Sequence, residues 1–169
     1  MEPLIEAAIQ GNSPEVRQLL QQGSYPDIRD EHGETALNWA AHLGHTAVAK
    51  DLLAAGADRE VVGSYLRATP LLLASQAGYR GIVALLVVLS DINSRDQRGA
   101  TALMLAVEQP EAALKPQRRI LAILETLMNA GADVHLQDHE GKTALMWARQ
   151  WGNEDAVQLL RGGESAYQK

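Results

Sequence analysis

Five histidines and 21 acidic residues are the side chains of this 169-residue chain that could hold a metal or move a proton. His42 and His45 are three positions apart, and His135 and His139 four. Neither pair brackets the glutamate of an H-E-x-x-H helix, the spacing that aims two imidazoles at one zinc ion with a base beside them. The carboxylates fall at turn and surface positions, and no two are set apart as an acid and a base. The sequence has no glycine-rich phosphate loop and no G-x-S-x-G elbow. With no cysteine there is no thiol nucleophile, thiolate zinc site or disulfide framework. No reaction, cofactor or metal is implied, and the chain reads as a non-enzyme. Three tryptophans remain, Trp39, Trp147 and Trp151. Tryptophan is enriched at binding hot spots, so the chemistry these residues point to is recognition.

The formal net charge of −6 works against a nucleic-acid partner, which needs clustered Lys and Arg for its phosphates. No run approaches the ~18 apolar residues of a membrane span, and Met1-Glu2-Pro3-Leu4 has neither the basic nor the apolar region of a secretory signal. A cytoplasmic chain with no membrane partner, monomeric on its own, is the expectation.

The elements that position the tryptophans follow from a repeat. Thr35-Ala36-Leu37 returns as Thr69-Pro70-Leu71, and Thr-Ala-Leu returns again at Thr101 and Thr143, at spacings of 34, 32 and 42 residues. Each threonine opens an apolar run of helical period and is an expected N-cap, with Pro70 at a tolerated first-turn position. Gly11, Gly44, Gly78 and Gly152 follow about two turns later, where a helix ending in the left-handed conformation wants glycine. A second helix then carries Val16, Leu19 and Leu20, then Val48, Leu52 and Leu53, then Ile82, Val83 and Leu86 on one face. Gly23, Gly56 and Gly131 close it. Asp30-Glu31-His32-Gly33, Asp96-Gln97-Arg98-Gly99 and Asp138-His139-Glu140-Gly141 have the Asp and Gly of tight turns. Small residues such as Ala40 let neighbouring helices approach closely. Units of this size cannot bury their own apolar faces, so they stack.

The unit Gly33-Glu34-Thr35-Ala36-Leu37-Asn38-Trp39-Ala40-Ala41, followed by Gly44-His45, Leu52-Leu53 and Gly56-Ala57-Asp58, resembles the ankyrin repeat, and the likeness runs over nearly the whole chain. It implies an all-α solenoid of five helix-turn-helix repeats with short β-hairpin projections, in a single domain. The expected repeats are 3–32, 33–66, 67–98, 99–140 and 141–169, with the outer two as caps and a frayed tail from Arg161. The family's histidine three residues after the threonine is replaced by Ile5, Asn38, Leu72, Met104 and Met146, leaving the usual Thr-to-His hydrogen bond without its histidine. Ser90 stands where the second helix normally ends in Gly-Ala, and Gly63-Ser64-Tyr65-Leu66-Arg67 lacks the Asp-x-x-Gly turn, so an irregular hairpin is expected there. A proline-bounded insertion, 110–119, replaces the interhelix glycine of the fourth repeat.

The resemblance places the first helix of each repeat on the concave side and implies that a partner protein is bound there and at the hairpin tips. Trp39, Leu43, Trp147 and Trp151 then lie on one stripe, since positions i and i+4 share a helix face. Trp39 and Trp147 also suit packing between neighbouring helices, and Trp151, near a helix end, is the more exposed expectation. The tips supply Glu31, His32 and Glu34, then Tyr65 and Leu66, then Gln97, Arg98 and Ala100, then His139, Glu140 and Lys142. A partner with a basic surface suits the acidic rim. The alternative is a regulatory or inhibitory subunit that blocks a partner enzyme with the 110–119 insertion.

Overall fold

A computed structural model describes residues 2–65, 67–108 and 117–166. Ten helices occur among these residues: α1 Pro3–Ile9, α2 Ser13–Gln21, α3 Ala36–Leu43, α4 Thr46–Ala54, α5 Pro70–Ala77, α6 Arg80–Leu86, α7 Ala102–Val107, α8 Gln117–Asn129, α9 Ala144–Gln150 and α10 Glu154–Ala166. They pair in chain order into antiparallel hairpins. The odd-numbered helices pack in one row and the even-numbered in another. Contacts along the first four odd-numbered helices are more extensive than those beside them between even-numbered helices, so the stack bends toward the odd row. The concave side is therefore lined by α1, α3, α5, α7 and α9.

The threonines start the odd helices as the sequence predicts, and their caps differ in detail. Thr35 and Asn38 form a reciprocal capping box, each backbone N–H donating to the other's side-chain oxygen at 3.3 Å. Asn38, at the position of the family histidine, also donates through Nδ2 to the carbonyls of Val61 (3.0 Å) and Ala68 (3.3 Å). A buried amide thus ties this repeat to the next. Thr143 accepts from Met146 N–H at 3.4 Å, while the Thr101 hydroxyl is buried with no cap bond to its helix.

Gly44 ends α3 with φ 85°, and a side chain there would overlap the ring of Tyr79 from the following repeat. One repeat earlier, His45 Nε2 donates to the Ile9 carbonyl at 2.9 Å, so the turns lean on each other along the stack. The core is a continuous row of fully buried aliphatics, Leu37, Leu52, Leu71, Leu86, Leu103 and Ile120 among them.

Two expectations are corrected. The segment from Arg161 is not frayed as far as Ala166: α10 continues there, and Gly163, buried against Met128 and Val134, lets the helix come close. Residues 117–119 of the expected insertion belong to α8, which at 13 residues is the longest of the second helices together with α10. Residues 110–116 of that insertion lie outside the described residues. Among the described residues the hairpin projections are tight turns, with one isolated antiparallel bridge, Arg29 with Thr35.

Candidate functional site

The hairpin turns are built around one carboxylate each. Asp30 Oδ1 accepts from His32 and Glu34 N–H, both at 2.9 Å. Asp96 Oδ1 accepts from Arg98 (2.8 Å) and Ala100 (2.9 Å), and Asp138 Oδ1 from Glu140 and Lys142, both at 2.9 Å. The second oxygen reaches the concave face. Asp30 Oδ2 accepts the Trp39 indole N–H at 2.9 Å, and Asp138 Oδ2 accepts that of Trp147 at 2.8 Å. Burial pushes both carboxyls upward, but the backbone and indole N–H groups outweigh it and hold Asp30 and Asp138 below the ordinary aspartate value. Each tryptophan is thereby pinned by its polar edge; the Trp39 ring stays part-exposed to the groove, while the Trp147 ring is buried.

The first cluster surrounds Trp39, which is half-buried. Tyr65 of the next hairpin stacks on it with ring centroids 6.0 Å apart and planes 30° apart, His32 lies 5.5 Å from Tyr65, and His42 meets Trp39 edge-on at 6.3 Å. A cleft of about 770 Å³ opens beside them, bounded also by Glu2, Ile9, Arg29 and Glu31. Leu43, 37% exposed, sits a turn further along α3.

The second cluster surrounds Trp147. Arg98 lies over its ring, 5.3 Å from the centroid, and forms a fork with Glu108 at 2.8 and 3.2 Å and a further bond to Asp96 at 3.0 Å. Glu108 beside it raises the Arg98 guanidinium above its already high ordinary value, against burial. Gln76 donates to Glu108 at 2.9 Å, and Lys142 pairs with Glu140 at 2.7 Å. A cleft of about 350 Å³ here takes in Trp151, His139 and Gln150 as well.

The sequence's candidates thus divide. Glu31, His32, Tyr65, Gln97, Arg98, His139, Glu140 and Lys142 reach the surface or half reach it, while Leu66 lies outside the described residues. Trp147 is 9% exposed, and Trp151, at the end of α9, is half-buried, more open than Trp147 and lining the same cleft. Glu34 is not a tip residue. It is 0% exposed, lies against Gly63 and accepts from Tyr65 N–H at 3.1 Å, while Ser64 donates to the His32 carbonyl through both N–H (2.8 Å) and Oγ (2.7 Å). Where the hairpin before Thr69 lacks its own aspartate, Glu34 of the preceding repeat supplies the carboxylate. Glu108, which holds Arg98, was missed by sequence reasoning; only its place one turn after Met104 on the groove face could have marked it.

These features define a class, a stack of helical hairpins with a pinned aromatic groove. Family models of ankyrin repeats match residues 1–63 and 117–161, together well over half of the chain, and the chain belongs to the ankyrin-repeat family. The unmatched stretch between them, 64–116, holds most of the irregular hairpin, Ser90 and residues 110–116 of the insertion. Among curated proteins the chain is similar to neurogenic locus notch homolog protein 1 of Homo sapiens, 36% identical over 148 residues, 86% of this chain and 5% of that protein. The same protein of Danio rerio is 36% identical over 137 residues (79% and 5%), and neurogenic locus notch homolog protein 2 of Homo sapiens 32% over 148 (86% and 6%). The chain spans about a twentieth of the length of these relatives. Ankyrin repeats generally mediate contacts between proteins, and domains built from them are typically non-catalytic. No helix among the described residues is long and apolar enough to cross a membrane.

Proposed function

We propose that the chain is a single cytoplasmic interaction domain, monomeric alone, that binds a partner protein with a basic surface across its concave groove and hairpin tips. One observation carries this: two aromatic clusters, around Trp39 and around Trp147, open on the same side of the stack, each oriented by an indole-to-aspartate bond. Rings fixed in advance lose little freedom on binding, so their apolar area is converted to affinity with small ordering cost. The acidic residues beside them favour encounter with positive charge, an effect that weakens with salt.

The test is affinity capture from a native lysate with the wild type and with a Tyr65→Ser, Trp151→Ser double variant shown by circular dichroism to be folded. Both side chains can be removed without touching the aspartate bonds of Trp39 and Trp147. Loss of two hot-spot contacts should reduce recovery of the captured protein by at least about tenfold. Equal recovery of the same protein by both would remove the groove from the proposal.

A further inference from the structure

The tryptophan near one end of the stack already carries a guanidinium: Arg98 covers the Trp147 ring at 5.3 Å, with Glu108 forked onto its edge. Trp39 has the same register. Each of the two rings follows its capping threonine by four positions and donates to the aspartate nine residues before it. Glu108, on the helix preceding Trp147, corresponds to Ile9 on the helix preceding Trp39, and here the cleft is wider, about 770 Å³ against about 350 Å³. Beside Asp30, which is engaged by backbone N–H groups and the Trp39 indole, its carboxylates come instead from Glu2 and Glu31, both exposed at the rim, and Tyr65 stacked on Trp39 adds a second π face. Arg29, a cation on the same wall, points a guanidinium nitrogen at the Gly33 carbonyl at 3.5 Å.

We infer that this cleft receives an arginine side chain of the partner, its guanidinium against the Trp39–Tyr65 aromatic wall and its N–H groups directed to Glu2 and Glu31. The inference rests on the protein-binding reading and names what enters the groove. A planar, weakly hydrated guanidinium stacks on aromatic faces and forks onto carboxylates, whereas the ammonium of lysine is a hydrated point charge. The chain's own Arg98 satisfies both demands at the equivalent tryptophan.

The experiment is a titration of the full ¹⁵N-labelled chain with N-acetyl-arginine amide, followed by NMR, with the Trp39 indole signal assigned from Trp39→Phe. Saturable shifts of the Trp39 indole and of the His32 and Tyr65 amides are expected. The neutral isostere N-acetyl-citrulline amide should bind about tenfold more weakly. A Glu2→Gln, Glu31→Gln variant, altered only at the exposed rim, should weaken arginine about threefold or more. Citrulline binding equally well, lysine amide binding as tightly as arginine, or shifts centred on Trp147 would overturn the inference. Capture of a partner that depends on Tyr65 and Trp151 but is indifferent to saturating arginine amide would reject the arginine and leave protein binding standing. Trp39 shifts as expected, with capture equal in wild type and groove variant, would do the reverse.

Discussion

At the residue scale the aspartates of the hairpins do several jobs with one group. Asp30 and Asp138 each accept two backbone N–H groups and one indole, and both are held below the ordinary aspartate value. A depressed folded-state value means that the stabilisation is complete above the unfolded aspartate value of about 4 and is lost as pH falls through the lower folded values. Thermal melts should therefore lose midpoint temperature below about pH 4, and Asp138→Asn should flatten that acid limb while lowering the midpoint at pH 7; an unchanged limb would refute the role. Glu34 offers a second test. A methyl group at Gly63 would run into the Glu34 carboxylate, so Gly63→Ala should cost about 1–3 kcal/mol. In Glu34→Ala the same change should cost less, and a denaturant double-mutant cycle would report additivity if the contact is not the cause. The Asp-x-x-Gly turns were readable from sequence because each is satisfied within five residues. Glu34 was not, because its direction is set by a defect in the neighbouring repeat.

At the scale of elements, what was legible was what each helix declares locally: the threonine starts, the glycine ends and the apolar faces. The positive φ values at Gly11, Gly44, Gly78 and Gly152 fall where the periodic pattern runs out. What escaped was anything decided by a second element. The tail beyond Arg161 carries Gly162 and Gly163, poor helix formers in isolation, yet Gly163 is buried against Met128 and Val134 and α10 persists over it. Trp151 likewise lines a cleft whose other walls include Arg98, Glu108 and the hairpin of Asp138–Lys142. Ala40 is the plainest case of interhelix constraint, fully buried on α3 where α1 and α5 pack on either side. Ala40→Leu should overpack that row and lower the unfolding free energy by about 1–3 kcal/mol in urea denaturation. A loss below a few tenths would mean the row has slack.

Across the whole molecule, each helix pair touches its neighbours in the row, and stability accumulates along the stack rather than around one centre. Backbone amides of α3, α5 and α7 should consequently exchange more slowly with deuterium than those of α1 and α10, which have a partner pair on one side only among the described residues. Uniform protection from end to end would show that the array opens as one unit. The same arrangement fixes the span between Trp39 on α3 and Trp147 on α9, with α5 and α7 between them. Three interhelix steps of 8–10 Å put the two rings roughly 25–30 Å apart. An extended strand covers that length in about eight residues, so for the proposed partner the two clefts would act as a caliper. A ligand whose anchoring side chains are set too near or too far can seat one of them and never both, and it forfeits the gain in avidity that the second would bring.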